Sequence, residues 1–311
     1  MRIVFMGTPD FAVPCLKALY ENEHEITLVV TQPDKPQGRK QILTPSPVKE
    51  FAVAHDLPVY QPVSMKTQEA YDRIEAEQPD YIVVIAFGKI LPQSILDIPK
   101  YACINVHGSL LPRYRGAAPI QWSILNGDAV TGVTTMLMDA GIDTGDILLQ
   151  KETPIDPFET AGELFDRLAA LSAPVLLETL DLFAKGEIKP IRQDNANADY
   201  VTILKKENAL IDWSKDAKAL HNHVRGMNPW PVAFTKLGGK TLKIFETRVS
   251  DRVFGHDNGE VTACDGKLYV RCGADSCLQI LSLQLEGSKR LDADVFLRGR
   301  AFSEKTILGV E

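Results

Sequence analysis

The first half of the chain alternates between short apolar runs and amphipathic stretches. Runs such as YIVVIAF, Tyr81–Phe87, are apolar throughout, as is typical of strands that are buried on both faces. Strands are predicted at Arg2–Met6, Glu25–Val30, Pro58–Tyr60, Tyr81–Phe87, Ala102–Val106, Gly132–Met138 and Ile147–Gln150. Helices are predicted at Phe11–Glu21, Pro47–His55, Thr67–Glu77, Ser94–Asp97, Ala117–Leu125 and Ala161–Lys185. This alternation predicts an α/β fold with an open, mostly parallel, Rossmann-like sheet that carries helices on both faces.

The pattern changes near Pro190. Residues 190–207 are polar and rich in Asn and Asp, so they are predicted to be a linker. One helix, Lys215–Arg225, follows, and after it come short strand-like runs separated by Gly, Asp and Asn. Such runs predict a small C-terminal antiparallel β-barrel that is OB-like. The predicted domains are therefore residues 1–189 and 208–311.

Charge is distributed unevenly along the 311 residues. Residues 1–205 carry 18 Lys and Arg against 27 Asp and Glu, a net charge of −9, whereas residues 206–311 carry 16 against 14, a net charge of +2. An acidic body with a mildly basic second half is not typical of a general nucleic-acid binder. It is compatible with a phosphate-bearing partner that meets local basic patches, and equally with an ordinary solvated surface.

Cysteine spacing and the N-terminal residues bear on location and metals. The five cysteines have no C-x-x-C spacing, so we predict reduced thiols and no metal site. His221 and His223 are two residues apart and do not share a helix face, which predicts surface or linker histidines. No apolar run approaches the roughly 18 residues of a membrane span, and no leader pattern precedes the first strand. We expect a cytoplasmic protein with no membrane partner.

Polar side chains interrupt the strand in CINVHGSLLPRYRG, Cys103–Gly116, where Asn105 and His107 stand near its end. A second polar loop, MDAGIDTGDIL, follows the strand that ends at Met138 and contains Asp143. Open parallel sheets bind ligands outside the carboxyl ends of their strands, so we expect these three side chains at one rim. A lone histidine there is usually structural, but a polar trio favours chemistry.

The trio suits acyl transfer without a covalent intermediate. An Asn amide can donate to a developing oxyanion, and a His can donate to the same oxygen or carry a proton. An Asp can orient the imidazole and accept a proton. No G-x-S-x-G supplies a serine nucleophile, so the nucleophile is expected to be an amine of the substrate. A dinucleotide site is not expected, because the turn after the first strand has only Gly7 of that fingerprint.

The stretch INVHGSLLPRYRGAAPIQW, together with MDAGIDTGDIL, resembles the folate-dependent formyltransferase superfamily. The resemblance implies transfer of a formyl group from 10-formyltetrahydrofolate to an amine. It implies that Asn105 and His107 stabilise the oxyanion, and that Asp143 orients His107 and helps to remove the amine proton. It also implies folate contacts at Phe87, Gly88, Lys89, Ile90, Leu91, Ser109, Leu110, Leu111, Pro112 and Asp139.

Two further stretches, Thr31–Ala52 and Met227–Thr235, resemble the branch of the superfamily that formylates methionyl-tRNA. The first is a loop rich in Pro, Lys and Arg, and such cations suit phosphate contact. The resemblance implies initiator methionyl-tRNA as the acceptor and tRNA contacts at Arg39, Lys40 and Lys35. The branch more often reads Gly-Arg-Gly-Lys-Lys-Leu in this loop, and the present sequence keeps Arg39 but departs after it. We expect a monomer.

Two alternatives stay open at this point. One is a formyltransferase that acts on a sugar-nucleotide amine, and the Pro- and Arg-containing loop argues against it. The other is a non-catalytic tRNA-binding module, and the intact Asn/His/Asp trio argues against that. The roles of Arg113 and Arg115 are also open, because positioning of their loop and contact with phosphate suit them equally.

Overall fold

The computed structural model describes residues 1–38, 41–299, 302 and 305–309. The chain forms two compact units. The first comprises Met1–Pro119, Val130–Pro154 and Phe165–Val201, and the second comprises Ile120–Ala129, Ile155–Leu164 and Thr202–Glu311. The predicted boundaries at 189 and 208 stay a prediction. Within the described ranges, no helix combines the length and the apolar character that crossing a bilayer requires.

A seven-stranded sheet forms the centre of the first unit. The strands of this unit are β1 (Arg2–Gly7), β2 (Glu25–Val30), β3 (Lys35–Gln37), β4 (Ile42–Thr44), β5 (Val59–Tyr60), β6 (Tyr81–Ile85), β7 (Ala102–His107), β8 (Arg115–Gly116), β9 (Val130–Leu137), β10 (Ile147–Pro154) and β11 (Tyr200–Val201). The main sheet has the order β10-β9-β7-β6-β1-β2-β5, and five of its strands are parallel. The predicted mostly parallel sheet is therefore confirmed. The hairpin β3-β4 and the pair β8-β11 were not predicted.

Helices cover both faces of this sheet, as predicted. In chain order the first six helices are α1 (Val13–Glu21), α2 (Pro47–Ala54), α3 (Gln68–Glu75), α4 (Gln93–Leu96), α5 (Pro119–Leu125) and α6 (Ala161–Ala184). On one face, alternate residues of β1, β2 and β6 pack with residues of α3 and α4 in one buried cluster. On the other face, Tyr81 of β6 contacts Phe183 of α6 with ring centroids 6.1 Å apart.

The same alternation places the polar pair of β7. Cys103 belongs to the cluster under α3 and α4, and successive residues of a strand point to opposite faces. Asn105 and His107 therefore lie on the face of Cys103, beyond the point where the apolar cluster ends.

The strand β9 runs antiparallel to β7, which differs from the expected arrangement of three parallel strand ends. Leu137 pairs with Ile104 and Thr134 pairs with His107. The loop after β9 therefore starts beside the middle of β7 and not beyond its carboxyl end. Hydrophobic periodicity is the same for both strand directions, so the sequence pattern does not distinguish them.

The second unit contains α5 except for Pro119, an antiparallel sheet and, among the described residues after 201, two further α-helices. Its strands are β12 (Phe234–Leu237), β13 (Lys240–Ser250), β14 (Val261–Cys264), β15 (Lys267–Cys272), β16 (Ser276–Leu285) and β17 (Leu291–Asp292), and the two further helices are α7 (Ala217–Gly226) and α8 (Ala293–Arg298). The pairing order is β12-β13-β16-β15-β14, with β17 on β16. The antiparallel sheet is confirmed, and its closure into a barrel stays a prediction.

His221 and His223 of this unit differ from the predicted surface or linker positions. Both lie on α7 and are half-buried. The His221 ring has Nδ1 3.0 Å from the Thr247 hydroxyl of β13 and Nε2 2.9 Å from the Pro157 carbonyl. A carbonyl only accepts, so Nε2 donates to Pro157, and in the neutral ring Nδ1 accepts from the Thr247 hydroxyl.

Candidate active site

The structure brings Asn105, His107 and Asp143 together. The side chains of Asn105 and His107 leave β7 on one face, and both residues are buried. The Asn105 amide nitrogen lies 3.5 Å from Oδ1 of Asp143, and Nδ1 of His107 lies 3.7 Å from Oδ2. These are loose contacts of a kind that tighten when a substrate binds.

One ring nitrogen of His107 forms a hydrogen bond with the backbone. Its Nε2 lies 2.9 Å from the carbonyl oxygen of Tyr114. Because a carbonyl only accepts, Nε2 carries a hydrogen and donates, and Nδ1 is the nitrogen that faces Asp143. The ring is therefore held in one orientation, with its second nitrogen directed at the polar cluster.

The loop between β9 and β10 folds back to bring Asp143 over β7. Its Oδ2 accepts a hydrogen bond of 2.8 Å from the backbone N–H of Gly116. Asp139 closes the loop on itself, because its Oδ1 accepts from the Gly141 N–H and from the Thr144 hydroxyl. At Gly145 an added Cβ would lie 1.7 Å from the Leu137 carbonyl oxygen, so only glycine fits. The predicted folate contact of Asp139, which is exposed, stays a prediction.

The segment Ser109–Pro112 is fixed by polar contacts from two neighbouring strands. The Thr134 hydroxyl donates to the Ser109 carbonyl at 2.6 Å and accepts from the Leu111 N–H at 3.1 Å. The Gln150 amide donates to the Leu111 carbonyl at 2.9 Å. Leu111 is buried, while Leu110 and Pro112 are half-buried. Thr134 and Gln150 are supporting residues that the sequence reasoning missed, because both sit in ordinary strand patterns.

The segment Phe87–Leu91 leaves the sheet beside the polar trio, since Val84 of β6 pairs with Asn105 of β7. The carbonyl of Phe87 accepts from the Thr8 hydroxyl and from the Gln32 amide, so its two lone pairs are occupied. The side chains of Phe87 and Leu91 are buried, and Gly88 and Ile90 are exposed. The buried side chains of Phe87 and Leu91 therefore anchor the two ends of the segment, and Gly88 and Ile90 between them face solvent.

Hydrogen bonds to the backbone also hold the side chain of Lys89 in this segment. Its ammonium donates to the carbonyls of Pro62 and Val63, each at 2.6 Å. Partial burial, with a contribution from Lys35, holds the pKa of Lys89 below its usual value. The side chain therefore braces the segment against the chain before α3.

Of the three predicted tRNA contacts, the structure describes Lys35. Arg39 and Lys40 lie outside the described residues. Lys35 is exposed on β3, and its ammonium donates to the Gln32 side-chain oxygen at 2.6 Å. At the base of the hairpin Lys49 and Asp34 form an ion pair of 2.7 Å. Hydrogen bonds from Lys49 and Gln61 lower the pKa of Asp34.

Arg115 is one of the largest fully buried side chains, at 2% exposure. A buried guanidinium cannot reach a phosphate on the surface, so positioning of its loop is the role that the structure supports. Its partner Gln193, at 5% exposure, lies in the segment that was predicted to be a linker. No local pattern marks Gln193, because its partner is 78 residues away.

Comparisons with known proteins agree with this geometry. The family model described as formyl transferase matches residues 1–180, and the model described as formyl transferase, C-terminal domain, matches residues 203–301. The chain belongs to the formyl transferase family. The polar trio and both loops described above lie within the first match.

Relatives and solved structures are consistent with this family. The chain is 53% identical to the methionyl-tRNA formyltransferase of Citrifermentans bemidjiense over 99% of this chain and 96% of that protein. It is 50% identical to the methionyl-tRNA formyltransferase of Geobacter sulfurreducens, over 99% and 97%. Its fold is similar to that of WlaRD, a sugar 3N-formyl transferase solved with dTDP and 5-N-formyl-THF. The TM-score is 0.68 at 21% identity, over 93% of this chain and 99% of that one.

Proposed function

We propose that this formyl transferase moves the formyl group of 10-formyltetrahydrofolate to the free amino group of initiator methionyl-tRNA. The observation that carries the proposal is the convergence of Asn105, His107 and Asp143 on one face of β7. The acceptor is supported by relatives named methionyl-tRNA formyltransferase, which are 53% and 50% identical to this chain over 99% of its length. The product is N-formylmethionyl-tRNA, used in translation initiation.

In the proposed reaction a C–N bond forms between the methionyl nitrogen and the formyl carbon. The bond from that carbon to the folate nitrogen breaks, the amine loses a proton, and the folate nitrogen gains one. Asn105 donates to the formyl oxygen as negative charge develops on it, and His107 donates to the same oxygen when its Nδ1 carries a proton. Asp143 keeps Nδ1 of His107 in place and takes up the amine proton, directly or through water.

The folate subsite of the proposal lies along Phe87–Leu91 and Ser109–Pro112. The exposed backbone around Gly88 suits hydrogen bonding to the edge of a pterin, whereas the Phe87 carbonyl is already occupied. Leu110 and Pro112 are half-buried and offer apolar area to the rings. Lys89, Ile90, Leu91 and Leu111 complete the set of proposed contacts, with Asp139 on the opposite loop.

The tRNA contacts of the proposal are Arg39, Lys40 and Lys35, with additional affinity from the C-terminal domain. Ile42 and Leu43 of β4 are 61% and 67% exposed, so this part of the hairpin faces solvent. Cations on such a hairpin meet phosphates without reading base edges. We further propose domains at residues 1–189 and 208–311 joined by residues 190–207, a monomeric state and a location in the cytoplasm.

One assay tests the function. The purified chain is mixed with 10-formyltetrahydrofolate and either charged initiator methionyl-tRNA or an amino-sugar nucleotide, and formylated product is measured. The proposal predicts formyl-methionine from the tRNA arm and little product from the sugar arm. Formylation of the sugar alone would assign the chain to a different acceptor, and binding of tRNA without product would make it a binding module.

A further inference from the structure

The side chain of Arg115 is buried and surrounded by neutral oxygens. Its Nε and Nη2 donate to Oε1 of Gln193 at 3.0 and 2.8 Å, and Nη2 also donates to Oδ1 of Asn195 at 2.9 Å. Its Nη1 donates to the Tyr200 hydroxyl at 3.1 Å. A buried charge is tolerated only when hydrogen bonds satisfy it, and these three side chains supply the acceptors.

The orientation of the Gln193 amide follows from the chemistry of its neighbours. A guanidinium only donates, so the amide oxygen faces Arg115. The amide nitrogen is thereby turned to the opposite side, where it donates to the carbonyls of Asp143 at 2.9 Å and Gly145 at 2.7 Å. Both of its hydrogens are used. Gln193 is thus a bridge between Arg115 and the loop that carries Asp143.

Asp143 is held at two points by this arrangement. Its carbonyl accepts from Gln193, and its carboxylate accepts from the N–H of Gly116, the residue after Arg115. The backbone of Asp143 has φ +53°, in the left-handed region that a residue with a Cβ rarely adopts. Such a conformation persists when surrounding contacts hold the backbone in place. The hydrogen bond from the Gln193 amide to the Asp143 carbonyl is such a contact.

We infer that Gln193, oriented by Arg115, is a positioning residue for formyl transfer: it holds the backbone of Asp143 so that the carboxylate faces Asn105 and His107. The inference rests on the proposed function for its reaction. The segment 193–201, polar in sequence, is then the part of the first unit that fixes the catalytic loop. Its strand β11 pairs with β8, which keeps Arg115 and Gly116 in register with it.

Gln193→Glu tests this inference with little change in shape. One oxygen of the new carboxylate keeps the contacts with Arg115, and the other faces two carbonyl oxygens to which it cannot donate. Asn195→Ala is the matched control, because Asn195 accepts from the same Nη2 of Arg115 as Gln193 does. Gln193→Ala replaces the Glu variant if that variant does not fold, and the same criteria apply.

Formylation of methionyl-tRNA and hydrogen exchange of residues 139–146 are measured for each variant. We expect kcat of Gln193→Glu to fall about 10- to 100-fold, the scale of a misplaced catalytic group, with KM for both substrates within about 3-fold. We expect faster exchange in the loop, and Asn195→Ala near wild type in both measurements. In a background of Asp143→Asn, the Gln193 substitution is expected to cost much less, because it acts through Asp143.

Wild-type kcat and wild-type loop exchange in Gln193→Glu would overturn the inference. Equal losses in Gln193→Glu and Asn195→Ala would also overturn it, since the effect would then belong to the burial of Arg115. A wild-type chain that does not formylate methionyl-tRNA would contradict the proposed function separately. The exchange measurement would still decide whether Gln193 holds the loop.

Discussion

Nδ1 of His107 lies 3.7 Å from Oδ2 of Asp143, while the opposite nitrogen of the same ring donates to the Tyr114 carbonyl. The imidazole therefore has one fixed nitrogen and one nitrogen that faces the carboxylate. A proton that reaches Nδ1 creates a cation beside Asp143, and loss of that proton restores the neutral ring without any rotation. This arrangement supports the proposed proton transfer, because the ring needs no rotation between its neutral and protonated forms.

Asn105→Ala removes the amide that donates to the developing oxyanion. Loss of such a donor typically costs about 100- to 1,000-fold in turnover, so kcat should fall on that scale. Affinity for the folate should largely persist, because Asn105 meets only the formyl oxygen and the other proposed folate contacts are unchanged. Steady-state kinetics and fluorescence titration with the folate measure the two effects. Turnover close to wild type would refute the role assigned to Asn105.

Arg39→Ala should weaken the use of methionyl-tRNA far more than the binding of formyl-folate. The expected loss is concentrated in kcat/KM for tRNA, and tRNA affinity should fall as salt rises, since phosphate contacts release counterions. Lys17→Ala is a control for the loss of one positive charge, because Lys17 is exposed on α1 and pairs only loosely with Glu21 at 3.7 Å. Equal effects on both substrates would indicate that the loop is structural.

Much of the α/β sheet follows from the sequence, since strands buried on both faces leave uninterrupted apolar runs. β6 and β7 were located within two residues, because a strand that is buried on both faces gives a continuous apolar run in the sequence. The direction of β9 was not accessible, because hydrophobic periodicity is the same for an antiparallel strand as for a parallel one. The Asp143 loop reaches the site by folding back over β7.

The convergence of Asn105, His107 and Asp143 was predictable because polar residues at strand ends are unusual, whereas the contacts that support these residues were not. The role of Arg115 was open between positioning its loop and contacting phosphate, and Gln193 lay in a segment that was predicted to be a linker. The Arg115 guanidinium and the Gln193 amide oxygen satisfy each other's hydrogen-bonding capacity. They are 78 residues apart in sequence, and only the fold brings them together. Polar residues that are buried in pairs look individually like exposed ones.

The stability of the chain should fall as pH drops below neutrality. Burial lowers the pKa of His221 below its usual value near 6.5, so the folded state keeps the ring neutral where the unfolded chain protonates. The unfolded state then binds more protons, and the free energy of unfolding decreases as pH falls through 6.5. His221→Gln, which keeps a donor for Pro157, should show a smaller decrease between pH 7.5 and 5.5 in urea unfolding. Identical decreases in the two proteins would rule this explanation out.

Cys264 should react first with a thiol reagent. Of the five cysteines it alone is partly exposed, while burial raises the pKa of Cys15 and Cys103 and brings that of Cys272 to about 12. The thiolate is the reactive form, so the four buried thiols should react slowly until the chain unfolds. Titration with a chromogenic disulfide should give one fast equivalent. Cys264→Ser should remove that equivalent, and a fast phase that survives would show another accessible thiol.

Direct transfer of the formyl group to the amine, with no covalent enzyme intermediate, is the central claim. Rapid-quench analysis with a formyl-labelled folate follows the label in time. The account predicts no label on the protein when the folate is present alone, and label only in formyl-methionine after charged initiator tRNA is added. Label retained on the protein before tRNA is added, or absent from formyl-methionine afterwards, would contradict it.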